Sequence, residues 1–218
     1  MLVPSPEVTA TIGTVSYQAA SAKSSLYRNG EVLIRRDRDG SDDGYKGPSR
    51  EEREVTIRNA RLLERNQRRT IQIHGFELLT RPLSNTDLNF YDHKQVIQNY
   101  YGECAEIVQE ETGASLVLAF DHNIRSASGK QANTRILGGQ QVQEPLHLVH
   151  GDYTLRSAPQ RLHDLSLPPT GNDTLASILP AGESLIKAAD AQHALSNGRF
   201  SIINVWRNIR KHPLWFDR

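Results

Sequence analysis

The sequence predicts an α+β chain, mainly β, with helices flanking its strands. Three observations carry this. Glu54-Val55-Thr56-Ile57-Arg58 and Thr70-Ile71-Gln72-Ile73-His74 alternate apolar and polar residues at the period of half-buried strands. Residues 115–120, Ser-Leu-Val-Leu-Ala-Phe, form a continuous apolar run of strand length. Val96, Ile97, Tyr100, Tyr101, Cys104, Ile107 and Val108 recur every three or four positions and so lie on one helical stripe. At 218 residues the chain is long enough to bury a substantial core and is read as one domain over 1–218.

Residues 8–17 open the order of elements with small, polar and β-branched residues suited to a strand. Residues 35–50 are dense in charge and glycine, bury little apolar area and predict an exposed loop. Two strands follow, at 54–58 and 70–74, with a helical turn at Leu62-Leu63 between them. Residues 75–79 continue as an extended apolar segment that Pro82 stops. The main helix has Asp92 as its N-cap and Thr112-Gly113 as its stop. Cys104 lies on its apolar stripe, with no cationic neighbour in sequence, and reads as a structural thiol rather than a nucleophile.

After the 115–120 strand, residues 126–139 read as a polar loop and 145–154 as a strand. Residues 165–180 read as loop, with a turn at Pro168-Pro169-Thr170-Gly171-Asn172. A helix over 182–195 is broken by Asn197-Gly198, and a last strand covers 199–207.

Composition narrows the function classes. With 26 basic and 25 acidic residues the charge is balanced, so neither a nucleic acid nor an anionic membrane is expected as partner. The single cysteine excludes an internal disulfide or a cysteine-built zinc site and fits a reducing, cytoplasmic setting. The first residues, Met-Leu-Val-Pro-Ser-Pro, have neither a basic nor an apolar signal region, and no apolar run approaches the ~20 residues that span a bilayer. No Gly-x-Gly-x-x-Gly follows a strand and no Gly-x-x-x-x-Gly-Lys-Ser/Thr is present, which removes support for nucleotide sites and for a methyltransferase.

The chemistry-bearing stretch is His150-Gly151-Asp152-Tyr153-Thr154. In an extended chain, side chains two apart share a face. An imidazole and a carboxylate there supply two of the three protein ligands of a 2-His-1-carboxylate iron site. As a bare pattern, any His and Asp two apart satisfy it, and on spacing alone a polar strand end with hydrogen-bonded side chains is the default reading.

Several stretches in order resemble the AsaB-like hydroxylase/desaturase family, which includes relatives of the cephalosporin 7α-methoxylase. They are Ile73-His74-Gly75-Phe76-Glu77-Leu78, Tyr100-Tyr101-Gly102-Glu103 with Thr112-Gly113-Ala114, and Phe120-Asp121-His122-Asn123-Ile124-Arg125. Val149-His150-Gly151-Asp152-Tyr153-Thr154 with Ser157-Ala158-Pro159-Gln160-Arg161 comes next, and Phe200 to Arg207 closes the series with a form of Asn-x-Trp-Arg. The likeness covers about residues 55–210.

The resemblance implies a jelly-roll (double-stranded β-helix) oxygenase that uses Fe(II), 2-oxoglutarate and O2 to hydroxylate or desaturate a secondary metabolite. It implies His150 and Asp152 as metal ligands and Arg161, Arg199 and Arg207 as candidates to meet the co-substrate carboxylate. Tyr153, Thr154, Asn204 and Trp206 are the implied substrate and second-layer residues. Asp121 and His122 read as strand-end structure, and His74, His93, His147 and His163 as structural or surface residues.

Members of that family continue past the Asn-x-Trp-Arg segment, and the resemblance places their distal histidine there. His163, His193 and His212 follow the pair here, but none has its context. The expectation is therefore a core incomplete at its C-terminal end. The alternative is a catalytically incomplete paralogue or a fragment acting as a binding or accessory subunit, as a homo-oligomer or with a complementing chain.

Overall fold

The computed structural model describes residues 9–21, 50–62, 71–138, 142–146, 148–170 and 173–210. The chain divides into two compact units. The first comprises residues 1–83 with 145–150, and the second residues 84–144 with 151–218. Among the described residues, no helix is long and apolar enough to cross a membrane.

The first unit is built on a two-stranded antiparallel sheet of β1 (Ala10–Gln18) and β2 (Arg50–Arg58), paired from Ala10↔Arg58 to Gln18↔Arg50. The early strand and the one around 54–58 are thus both present. Most of the expected 35–50 loop lies outside the described residues. Of the turn expected at Leu62-Leu63, Leu62 ends a 3-10 turn over Ala60–Leu62, and Leu63 lies outside the described residues. Residues 70–74 were expected as a strand, but Ile71–His74 form a short helix, α1, closed by the Gly75 amide donating to the Ile71 carbonyl at 3.0 Å. Gly75 has φ 74°, a left-handed conformation that glycine adopts without a Cβ penalty. Ile73 is 76 % exposed, so its alternation with Gln72 and His74 does not mark a buried face.

The second unit carries the main helix. It begins as α2 (His93–Gln95), passes through a π-helical turn at Val96–Tyr100 and continues as α3 (Tyr101–Thr112). The Asp92 side chain accepts from the Gln95 backbone N–H, satisfying one of the donors a helix start leaves open. At the other end Gly113, at φ 69°, donates to the Gln109 carbonyl, so both expected ends are observed. Smaller helices follow: α4 (Ala127–Gln131), α5 (Ser157–Asp164) and α6 (Ala188–Ser196), with a 3-10 turn at Thr174–Ser177 capped by Asp173. Both α4 and the 3-10 turn stand where loop was expected, α5 was not expected, and α6 begins later than its pattern suggests. This helix ends at Ser196, immediately before Asn197-Gly198, as expected.

The segments 115–120, 145–154 and 199–207, expected as strands, have no regular secondary structure where described. A strand exists only when a neighbour supplies ladder hydrogen bonds, and local apolar pattern cannot supply that neighbour. Burial agrees, since Leu116 is 56 % exposed and Trp206 83 %. The observed class is mixed α and β with one small antiparallel sheet among the described residues; the jelly-roll core is not formed among them. The core of the second unit is Ile124, Ile136 and Val142, with Phe90 and Ile209 packed on it. Leu162 of α5, Leu175 of the 3-10 turn and Ala191 of α6 are buried in the same unit.

Candidate functional site

His150 closes the 145–150 segment of the first unit. The preceding Val149 amide donates to the Ser16 carbonyl of β1 at 2.8 Å. The Nδ1 atom of His150 lies 2.8 Å from the Leu148 carbonyl oxygen. A carbonyl only accepts, so Nδ1 carries the proton and, in the neutral ring, Nε2 carries the lone pair. This is the arrangement that metal-binding imidazoles adopt, with one nitrogen donating to a carbonyl and the other facing the ion.

Asp152, Tyr153, Thr154 and Asn204 all belong to the second unit and are brought together there. With Leu155, Ala158 and Ile202 they line a cavity of about 550 Å³. The Asn204 amide donates to Asp152 Oδ2 at 2.6 Å. Thr154 is held by the start of α5: its hydroxyl accepts from the Arg156 and Ser157 amides at 3.2 and 3.0 Å, while its own amide donates to Ser157 Oγ at 2.8 Å. These bonds satisfy helix-start donors and fix the backbone that presents Asp152 and Tyr153. Burial pushes the Tyr153 phenol up against the opposing influence of Arg161, with which it shares a hydrogen bond. Tyr153 thus stays a neutral hydroxyl at the cavity wall.

The three arginines do not line that cavity. Arg161 pairs with Asp173 at 3.3 Å and lies over the Phe120 ring, 5.0 Å from its centroid. Arg207 donates through Nε to the Tyr100 hydroxyl at 2.8 Å and through Nη2 to Glu103 at 3.0 Å. Burial still carries the Tyr100 phenol up to about 12. Arg199 is exposed, and Trp206 projects to solvent at 83 % exposure. Cys104 is half-buried and free, its thiol pushed up mainly by burial, which fits the structural role its position on the stripe suggested.

A second polar cluster stands at the head of the main helix. Tyr101 Oη lies 2.8 Å from His122 Nδ1, and the His122 and His93 rings are 5.0 Å apart between centroids. His93 Nε2 is 3.1 Å from Ser177 Oγ, whose own hydrogen goes to the Thr174 carbonyl at 2.9 Å. His93 therefore donates through Nε2. Asp121 accepts from the Thr174 hydroxyl at 2.6 Å and from the His122 amide at 2.9 Å. Burial, then the neighbouring His93, lowers the His122 pKa. Nothing in the sequence pairs His93 with His122. Their one local signal is position, a histidine beside the Asp92 cap and another just past an apolar run. Among the described residues, no group of three or more His, Cys, Asp or Glu side chains could hold a metal ion.

The sequence pattern of the oxidoreductase/YMDC permease-like domain matches residues 25–216. A Methylophilus leisingeri protein named for the dcmA 3′ region is 44% identical over 196 residues, covering 89% of both chains. The hydroxylase/desaturase CTB9 of Cercospora beticola is 30% identical over 187 residues, 80% of this chain and 50% of that protein. An alpha-ketoglutarate-dependent dioxygenase of Talaromyces stipitatus, tstK, is 25% identical over 150 residues, 66% of this chain and 45% of that one. The chain thus spans about half the length of these fungal relatives. No solved structure matches it.

Proposed function

Because the chain belongs to the oxidoreductase/YMDC permease-like domain family, we propose that it works as an Fe(II)- and 2-oxoglutarate-dependent oxygenase, hydroxylating or desaturating a small secondary metabolite. The names of the fungal relatives support this chemistry, and a jelly-roll core for the whole protein goes with it. What supports the reading is the pair of donor types that the sequence places two residues apart, His150 and Asp152. His150 presents the lone-pair tautomer at Nε2, and the Asp152 carboxylate faces a cavity. Imidazole plus carboxylate is the ligand chemistry of a facial Fe(II) site. Bound there, the metal with 2-oxoglutarate and O2 would supply the oxidation.

The residues of the chain supply position and shelter. Leu155, Ala158 and Ile202 offer an apolar wall for a substrate's hydrocarbon body. Tyr153 and Thr154 offer hydroxyls that orient it. Anaerobic titration with Fe(II), followed by calorimetry, tests the assignment. The wild-type protein should bind one equivalent, and His150→Ala should lose it; equal binding by the two would sink the reading.

A second reading has one observation in its favour. Arg161 and Arg207, two of the three candidates to meet a co-substrate carboxylate, are engaged with Asp173 and Glu103. In that reading the cavity binds a small molecule without turning it over. Consumption of 2-oxoglutarate by the purified chain would exclude it.

A further inference from the structure

We infer that the cavity of the second unit is a site for a small organic ammonium ion, with Asp152 as its charge partner; the inference rests on the reading in which that cavity binds a small molecule. By itself the cavity does not fit iron. Its described lining holds no histidine and no second carboxylate, and His150 belongs to the first unit. The lining does hold one charged side chain, the Asp152 carboxylate, with no lysine or arginine among its described residues.

The polar part of the wall is weighted toward acceptors. A carboxylate only accepts, so Asn204 presents Nδ2 to Asp152 Oδ2, at 2.6 Å, and keeps its own Oδ1 as an acceptor. Tyr153 shares a hydrogen bond with Arg161, and a guanidinium has only donors, so the phenol oxygen accepts there. That guanidinium is paired with Asp173 at 3.3 Å, lies over the Phe120 ring and is not part of the lining. An ammonium is the complement of such a wall, since it carries donors and no acceptor. Its bond to a carboxylate is stronger than that of a neutral donor, and an aromatic ring such as that of Tyr153 attracts a cation. Leu155, Ala158 and Ile202 supply apolar surface for a hydrocarbon body. The volume of about 550 Å³ suits a small molecule. An anion, 2-oxoglutarate among them, meets like charge at Asp152.

Benzylamine, benzyl alcohol and benzoate share a body and differ in the head group, so their affinities separate the charge from the cavity. Ligand-observed NMR at neutral pH should show benzylamine binding about 10-fold more tightly than benzyl alcohol. Benzoate and 2-oxoglutarate should bind more weakly than the alcohol. Asp152→Asn keeps the shape and removes the charge; it should bring benzylamine down to the alcohol's affinity and leave the alcohol unchanged. Added salt should weaken the amine and spare the alcohol, and this comparison in the wild type carries the test if the variant folds poorly. Equal affinities for amine and alcohol, or an amine affinity untouched by Asp152→Asn, overturn the inference and leave the cavity as a small-molecule site. Binding of none of the four compounds overturns both.

Discussion

His122 shows how one residue links packing to pH. Its ring meets the Tyr101 hydroxyl at Nδ1 and the His93 ring face at a 5.0 Å centroid separation, with Asp121 next to it in sequence. Burial and the His93 charge both disfavour the imidazolium; Asp121 opposes them and is outweighed. The folded state therefore holds His122 neutral below the ordinary value of 6.5. In the window just below that value the unfolded chain binds more protons than the folded one. Stability from this group is complete above the unfolded pKa and is lost as pH falls toward the folded pKa. Urea denaturation of the wild type between pH 8 and pH 5 should show its midpoint dropping below pH 6.5, more steeply than in His122→Gln. Equal slopes would mean that His122 does not carry the acid sensitivity. Tyr101, also pushed up mainly by burial, stays a neutral hydroxyl throughout that range.

Among elements, the main helix and the last segment depend on each other through Arg207. Tyr100 and Tyr101 are consecutive, so on a helix they point about 100° apart. One reaches Arg207 and the other His122, which is how a single helix organises both polar clusters. The Arg207–Glu103 side chains are 18 % and 12 % exposed, and breaking such a pair strands the partner's charge. Arg207→Ala should cost about 3 kcal/mol in urea unfolding. Arg207→Lys should fall between, since an ammonium keeps the charge but not the fork that meets Tyr100 and Glu103 together. A loss below ~0.5 kcal/mol in Arg207→Ala would reduce the clamp to a surface contact.

The helix itself is legible in the sequence because its causes are local: an apolar stripe, the Asp92 cap and the Gly113 stop. The segments 115–120 and 199–207 mislead because strand formation depends on partners elsewhere in the chain. The candidate site divides in the same way. Asp152, Tyr153, Thr154 and Asn204 are named through the ordered family segments, and they do meet around one cavity. The engagement of Arg161 by Asp173 and of Arg207 by Glu103 is not legible, because those charges come together only through folding.

At the scale of the molecule, the two units differ in what supports them. Among its described residues the first has a two-stranded sheet, with Ile12 72 % and Ile57 47 % exposed, and such a sheet by itself is marginal in water. The second has a packed core in Ile124, Ile136 and Val142 and a main helix capped at both ends. Amide hydrogen exchange followed by mass spectrometry should therefore find β1 and β2 exchanging well before α3. Slower exchange in the sheet would show that the hairpin is stabilised from elsewhere.

The hydrogen bond from Val149 to Ser16 bears on where this protein is cut for expression. The family match begins at residue 25, beyond the end of β1 at Gln18. A boundary drawn from that match would discard the strand whose carbonyl receives the amide just before His150. Such a trimmed protein could fail a metal titration with every implied ligand intact, having lost only the anchor of the segment that carries one of them.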